Sequence, residues 1–479
     1  MPKFNVGKTK TAKPVRPKLR KPLPYLRGAA EEERERVKIR KTSGGEPSPQ
    51  SAPTTAADVT GPGGDQREIV FDTYTPLSKP KNPGLFGLAP PDMSGADSPL
   101  SLVLYTGNTY LSASKNAGVS FADLDSSTFL PAIPGRAVDQ VISYIPALEG
   151  YAWMMQHGQS AATKDGNFRL AIALAQDLKK DFKKAWKVFD FTSSDFGFKG
   201  LATDRQDLSY TERFLYLTTN IVGKGRLIIR IALDELKTNT VTWQYTAPLD
   251  GIFAFSDLSQ QNGTDVYMAG IVKDTSLRVV SCHDGTGTYD FHDLSVGKFP
   301  VATDLISLDP DGNDWLTLGV ANVSAVLSHG DDLWIAWDAA ASKPGDNPFY
   351  PNAHVRIAQA KVSTWNVVSE MQVWNKDYAF AYGTLAVNPA GDIGYGVAVG
   401  GKSDYPNSCF GILGDFIVYY RDTSDTTAQG NGIPRWGDYI TVRPSLITQD
   451  KFAAFGYFTK KKSGGGNFQT PYYLQYGRP

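Results

Sequence analysis

Cysteine is nearly missing from this chain: Cys282 and Cys409 are the only two in 479 residues, and they lie in separate segments. Such a count excludes a disulfide framework and leaves no thiolate cluster for a metal. Both read as small buried apolar residues, with one long-range disulfide as the alternative. Histidine is scarce too. His157, His283, His292, His329 and His354 show no ligand-pair helix spacing, and only His283 and His292, flanking a hairpin, are placed to meet. No run of 18 apolar residues occurs, so no membrane-spanning helix is expected. No Gly-rich phosphate loop and no nucleophile elbow appears. The basic N-terminus lacks the apolar stretch of a secretory signal, which predicts a cytoplasmic protein or one exported by a non-classical route.

Helical signal is also thin. The chain is 12% aromatic, with 46 Gly, 30 Pro and 6 Met, which reads as all-β. QDLKKDFKKAW (176–186) and LDEL (233–236) are the short helical excursions expected. Formal charge is zero overall but uneven. Residues 1–41 hold 14 Lys or Arg and 4 Glu, so they carry +10 and the remainder −10. Residues 1–65 lack apolar periodicity and end in linker composition, with too little apolar surface to offset the entropy of ordering. They are predicted to be a disordered basic arm that contacts an anionic partner, and residues 66–479 the folded domain.

From Arg67 onward, runs of four to eight apolar residues recur between Gly, Asn, Asp and Pro. In FRLAIALA, Phe168, Leu170, Ile172 and Leu174 fall on one face, as in a strand. The strands fall into groups of about four. One group starts at DQVISYIP (139–146), the next at DLSYT (207–211), then GIFAFSD (251–257), VSAVLSHG (323–330), YGTLAVNP (382–389) and DYITVRPS (438–445). LVLY, TYLSAS and VSF make an earlier group. An aromatic recurs on the second strand, at Trp153, Tyr216, Tyr267 and Trp334, suited to packing between adjacent sheets. Four-stranded sheets repeated around an axis predict a β-propeller of seven blades, with six as the alternative. REIVFDTY (67–74) is the strand expected to close the ring against the last blade.

The turn Ser114-x-Asn116-x-Gly118-x-Ser120-Phe121 carries its own chemistry. Asn hydrogen-bonds its turn backbone, Gly supplies positive φ, and the aromatic inserts between sheets. It resembles the Asp-box of sialidase-type propellers, S-x-D-x-G-x-S/T-W/F, with Asn in place of Asp. SCHDGTGTY (281–289) is at best a degenerate second copy. The order of TGNTYLSASKNAG, DQVISYIP, LYLTTN, IRIALDEL, AFAYGTLAVNPAGDIGYGVAVGG and RWGDYITVRPS resembles bacterial sialidase-like propellers without assigned activity, over residues 80–479. The resemblance implies a fold and brings no catalysis. The sialidase arginine motif F/Y-R-I-P is absent, and Ile133-Pro134-Gly135-Arg136 has the wrong order. Arg356 and Arg443 are the arginines placed to serve instead.

Asp139, Asp207 and Asp438 each open a first strand. On inner strands running the same way, their carboxylates ring one channel mouth, where like charges raise pKa values or recruit a cation. The competing reading is that each caps a turn. A facing pair can also do glycosidase chemistry. DPDGNDW (309–315) is oxygen-rich, but Gly312 is at the wrong place for an EF-hand, so a turn is expected there rather than Ca²⁺. These features predict a monomeric binding or scaffold propeller with a glycan or protein ligand and no cofactor, the alternative being a glycoside hydrolase working at the channel mouth.

Overall fold

The short apolar runs pair as antiparallel hairpins, and the turns between them are tight. The computed structural model describes residues 1–13, 69–77, 92–135, 137–301, 304–415, 417–430, 433–461 and 466–479. Seven sheets follow one another in chain order as the blades of a β-propeller. Blade two shows the plan: Ala137–Ile145 innermost, then Gly150–His157, Asn167–Leu174 and Lys187–Thr192 outermost, each paired with the next. The other inner strands are Ser94–Asp97 in blade one, Thr203–Tyr210 in three, Val323–His329 in five, Ala379–Val387 in six and Thr441–Pro444 in seven. Among the described residues blade four has three strands, Asp265–Lys273, Ser276–His283 and Thr288–Ser295. Its innermost position is held by a short stretch around Leu258, which bridges to Met268.

The core lies between neighbouring sheets rather than at one centre. Blades two and three share Met154, Phe168, Leu170, Phe191, Leu217, Ile229 and Trp243. Blades seven, six and one share a larger cluster around Phe410, Phe455, Tyr472, Tyr473 and Tyr476. Each sheet is thus buried on both faces, which is why its strands read as nearly continuous apolar runs. Trp153, Tyr216 and Tyr267 occupy the expected packing positions. Trp334 also packs between sheets, half-buried against the cluster shared by blades five and six, and Trp337 three residues on is fully buried on the side of blade four.

The ring closes as expected. Val70–Pro76 pairs with Asn467–Gly477 as the outermost strand of blade seven, whose other three strands come from the C-terminus. Three local expectations need correction. GIFAFSD holds a 3-10 turn at Gly251–Phe253, capped by Asp250, and no strand. The last strand of blade one is Ala122–Leu124, beyond VSF. The arm is not irregular throughout: Asn5–Thr11 adds a fifth strand to blade three, against Thr240–Tyr245. Its charge supplies the reason, because Lys10 meets Asp195 at 2.8 Å and Lys13 meets Asp190 at 2.7 Å. Residues 14–65 of the arm lie outside the described residues, as does the proposed boundary there. The two expected helices are present as Ala175–Lys180 and Leu233–Leu236. Among the described residues no helix is long and apolar enough to cross a membrane.

Candidate functional site

Inner strands of a propeller line its channel, and most of their side chains here are small or apolar. The polar exceptions gather where these strands begin. Asp92 precedes the inner strand of blade one, Asp139 and Arg205 stand near the starts of those in blades two and three, and Tyr382 near the start in blade six. All four have positive φ, at 39°, 44°, 50° and 60°. For three of them the cause is a bulge: the ladder shifts between Val138 and Gln140, between Asp204 and Asp207, and between Ala381 and Thr384. A bulge re-aims the side chain at that level of the strand.

A hydrogen-bonded belt joins the rim of three blades. The Asp438 N–H donates to Asp92 Oδ1 at 2.7 Å. Asn108 Nδ2 donates to Asp92 Oδ2 at 2.7 Å, and Asn108 Oδ1 accepts the Asp139 N–H at 2.7 Å. Arg435 pairs with Asp438. Arg205 reaches Asp257 at 3.2 Å and lies 5.5 Å over the Tyr439 ring.

Burial shapes the electrostatics. It pushes Asp92 up to about 7, helped by the Asp438 charge. Burial likewise holds Asp139 well above the carboxylate range, with Asp92, Asp204 and Asp438 adding to it. Burial works against the charge of Arg435, but Asp438 and Asp92 outweigh it and raise its pKa. Burial lifts the Tyr382 phenol, and Asp438 lifts it further. Four carboxylates, two guanidinium groups and two phenols therefore act on one another in one mouth. Tyr382 Oη, Arg435 Nε and Asp338 Oδ2 are buried there or beside it without a hydrogen-bond partner.

Asp139 and Asp438, two of the three aspartates expected at a mouth, act on each other there. Asp207 does not join them. Its bulge gives the rim position to Asp204 and Arg205, and Asp207 sits deeper, accepting the Leu258 N–H at 2.7 Å. Burial and nearby Asp257 raise it to about 7. None of the three opens its strand: those strands begin at Ala137, Thr203 and Thr441. Arg443 lies inside the channel. It donates to Gly95 O at 3.0 Å, to Ile142 O at 3.3 Å and to Gln260 Oε1 at 2.8 Å, so one guanidinium ties blades one, two, four and seven together. Arg356 lies on the third strand of blade five, paired with Glu370 at 2.9 Å and close to Phe299 and Trp337, apart from the rim.

Asp92, Asp204, Arg205, Tyr382, Arg435 and Tyr439 escape sequence reasoning. The usable signal is a polar residue just ahead of an inner strand, but it needs the inner strands to be known first.

The Ser114–Phe121 turn is built as its residues predict. Ser114 Oγ donates to Asn116 Oδ1 at 2.8 Å and accepts the Gly118 N–H at 2.9 Å; Asn116 Oδ1 also accepts the Ser120 N–H at 3.1 Å. Gly118 has φ +83°, and Phe121 packs edge-on against Tyr473 of blade seven. In the 309–315 segment, Asp309 accepts the N–H groups of Asp311 and Asn313 and the Thr427 hydroxyl, as in a turn. His283 and His292 do not meet directly but share Asp290, at 3.1 Å and 3.2 Å. No group of three or more metal-ligating side chains occurs among the described residues. Cys282 and Cys409 are buried free thiols in blades four and six.

No protein-family model matches the chain, and no curated protein matches it. Solved structures resemble its fold. An α-L-arabinofuranosidase from Fusarium graminearum aligns at 8% identity and TM-score 0.36, over 86% of this chain and 98% of its own. A chain of the mitotic checkpoint complex aligns at 10% and 0.41, over 92% and 99%. The subtype N10 neuraminidase-like protein of A/little yellow-shouldered bat/Guatemala aligns at 12% and 0.37, over 68% and 95%. At these identities and TM-scores the alignments assign no activity to this chain.

Proposed function

We propose that this chain is a carbohydrate-binding propeller that takes a polyhydroxylated ligand into the acidic channel mouth. One observation carries the reading: Asp92, Asp139, Arg205 and Tyr382 hold left-handed backbone near or just ahead of the starts of inner strands in four different blades. Such conformations cost on the order of 1–3 kcal/mol each in residues with side chains, and they cluster where function requires them. Sugar hydroxyls both donate and accept. Carboxylates supply acceptors, while guanidinium and phenol groups supply donors, gathered at the mouth of a channel whose cavity is lined by Asp207, Asp257, Tyr439 and Arg443. The Asn-containing turn at Ser114–Phe121 supports sialidase-like ancestry for the fold and has no part in the binding.

A second reading, glycoside hydrolysis, has its own support. A carboxylic acid held near 7 beside other carboxylates is the proton-donating half of a glycosidase pair.

A glycan array and a panel of fluorogenic glycosides, run on wild type and on Asp139→Asn and Arg435→Ala, test both. Binding without turnover, lost in both variants, is the expected result. Turnover lost in Asp92→Asn would favour the hydrolase. Selective capture of proteins, with no glycan bound, would move the function to the scaffold role and off the mouth.

A further inference from the structure

We propose that the outer edge of blade three is a docking site for an extended basic peptide, and that residues 1–13 of this chain are its resident, exchangeable ligand. An edge strand offers a row of unpaired N–H and C=O groups, and a peptide can add to it as one more strand. Asn5–Thr11 does so along Thr240–Tyr245. Its flanks continue onto the neighbouring blades. The Phe4 N–H donates to Gly287 O at 3.1 Å in blade four, and the Lys13 N–H to Val188 O at 2.9 Å in blade two.

Four side-chain positions give the site a readout at intervals of three residues. Phe4 is buried, edge-on to Tyr289 at 5.6 Å and 4.9 Å from the Arg230 guanidinium. Gly7 lies flat on the Trp243 indole, where a Cβ would fall 2.2 Å from ring atoms. Lys10 reaches Asp195 at 2.8 Å and passes 5.0 Å over the Phe191 ring. Lys13 meets Asp190, which Arg169 also holds. The site therefore selects an aromatic, then a residue without a side chain, then two cations.

The rest of the segment points to solvent: Asn5, Val6, Lys8, Thr9 and Thr11 are exposed. The segment is the outermost strand of its sheet and is held by side chains at four positions, so its release is a local opening and leaves the other strands of the blade paired. The 55 residues between Lys13 and Ile69 reach roughly 180 Å when extended, so the connection does not force the segment into place. Tethering instead supplies a high effective concentration, which a competing peptide must overcome.

Gly7→Val in the full chain is the test. Val favours strands, so loss of docking would come from the clash with Trp243. Hydrogen exchange in this variant is expected to speed up at least tenfold at residues 5–11 and at the edge-facing amides of 240–245, with the third strand of blade three unchanged. A synthetic peptide of residues 1–13 should then bind the vacated edge saturably. The Gly7→Val peptide should not bind, and a Lys10→Glu, Lys13→Glu peptide should bind at least tenfold more weakly. Unchanged protection in the variant, or no binding by the wild-type peptide, overturns the proposal. If Gly7→Val does not fold, the full chain with Lys10→Glu and Lys13→Glu gives the same exchange readout. Global unfolding of that chain as well would show that the segment is not separable, and would also overturn the proposal.

Discussion

The Asp438 N–H donates to Asp92 Oδ1 at 2.7 Å, so the rim of the last blade is fastened to the rim of the first through a carboxylate that is itself buried. The ring is therefore closed twice, by an added outer strand at the circumference and by this bond at the channel. The inner closure carries the ionisable groups, and the pH behaviour follows from it.

Asp92, Asp207 and Asp338 each have their pKa raised to about 7, burial being the first cause in all three. The native state then holds more protons than the unfolded chain between about pH 4 and 7. Stability from these groups is complete below the unfolded value and is lost as pH rises through about 7. By themselves these carboxyls lower the urea midpoint between pH 5 and pH 8, while His157 and His354, pushed down to about 4 and about 3 by burial, raise it over the lower part of that window. The drop should shrink by on the order of 1 kcal/mol or more in Asp338→Asn, since one pKa unit corresponds to about 1.4 kcal/mol. Asp165 and Asp190 are held below the usual range and titrate under this window. An Asp338→Asn chain whose midpoint changes with pH as wild type does would contradict the burial argument.

Arg435→Ala should be among the most damaging single changes at the rim. It removes a guanidinium that faces Asp438 and Asp92 in a half-buried pair, and losing a charge-assisted contact of this kind costs about 1.5–3 kcal/mol. Arg435→Lys keeps the charge and should lose clearly less. Chemical denaturation at pH 7 separates the two.

Arg443→Met removes the bonds to Gly95 O, Ile142 O and Gln260 and leaves buried acceptors unpaired. The expected loss is about 3 kcal/mol of stability. Glycan binding should survive in the folded fraction, because the rim residues are untouched. Equal loss of binding at full folding would place the ligand deeper in the channel.

At the Ser114–Phe121 turn, Asn116→Ala should cost about 1 kcal/mol, because Asn116 Oδ1 accepts from Ser114 Oγ and the Ser120 N–H. Asn116→Asp keeps the acceptor and should stay within about 0.5 kcal/mol of wild type. Gly118→Val meets both a positive φ and the Tyr473 ring at 2.2 Å, so it should be the worst of the three. Thermal melts of the three variants give the ranking directly.

Second and third strands were the most legible part of the fold, because burial on both faces makes them apolar for most of their length, as in GYAWMMQ and FRLAIALA. The inner strand of blade one, Ser94–Asp97, was illegible: it is four residues long and has no hydrophobic pattern. The stretch around Leu258 escaped for the same reason. The arm's pairing was hidden because three of its four anchors are a glycine and two lysines, residues that composition assigns to disorder, and a lone Phe4 makes no pattern.

The sequence by itself determined the second and third strands of most blades, the Asn116 turn and the closing strand at Val70–Pro76, because each depends on residues near one another or on burial patterns repeated along the chain. Tertiary structure alone decided which carboxylates share a mouth. One bulge puts Asp139 at the rim, whereas another gives that level to Arg205 and sends Asp207 inward. The depth of a side chain in a channel depends on backbone shifts of a single residue and on ring closure between distant segments, and local patterning encodes neither.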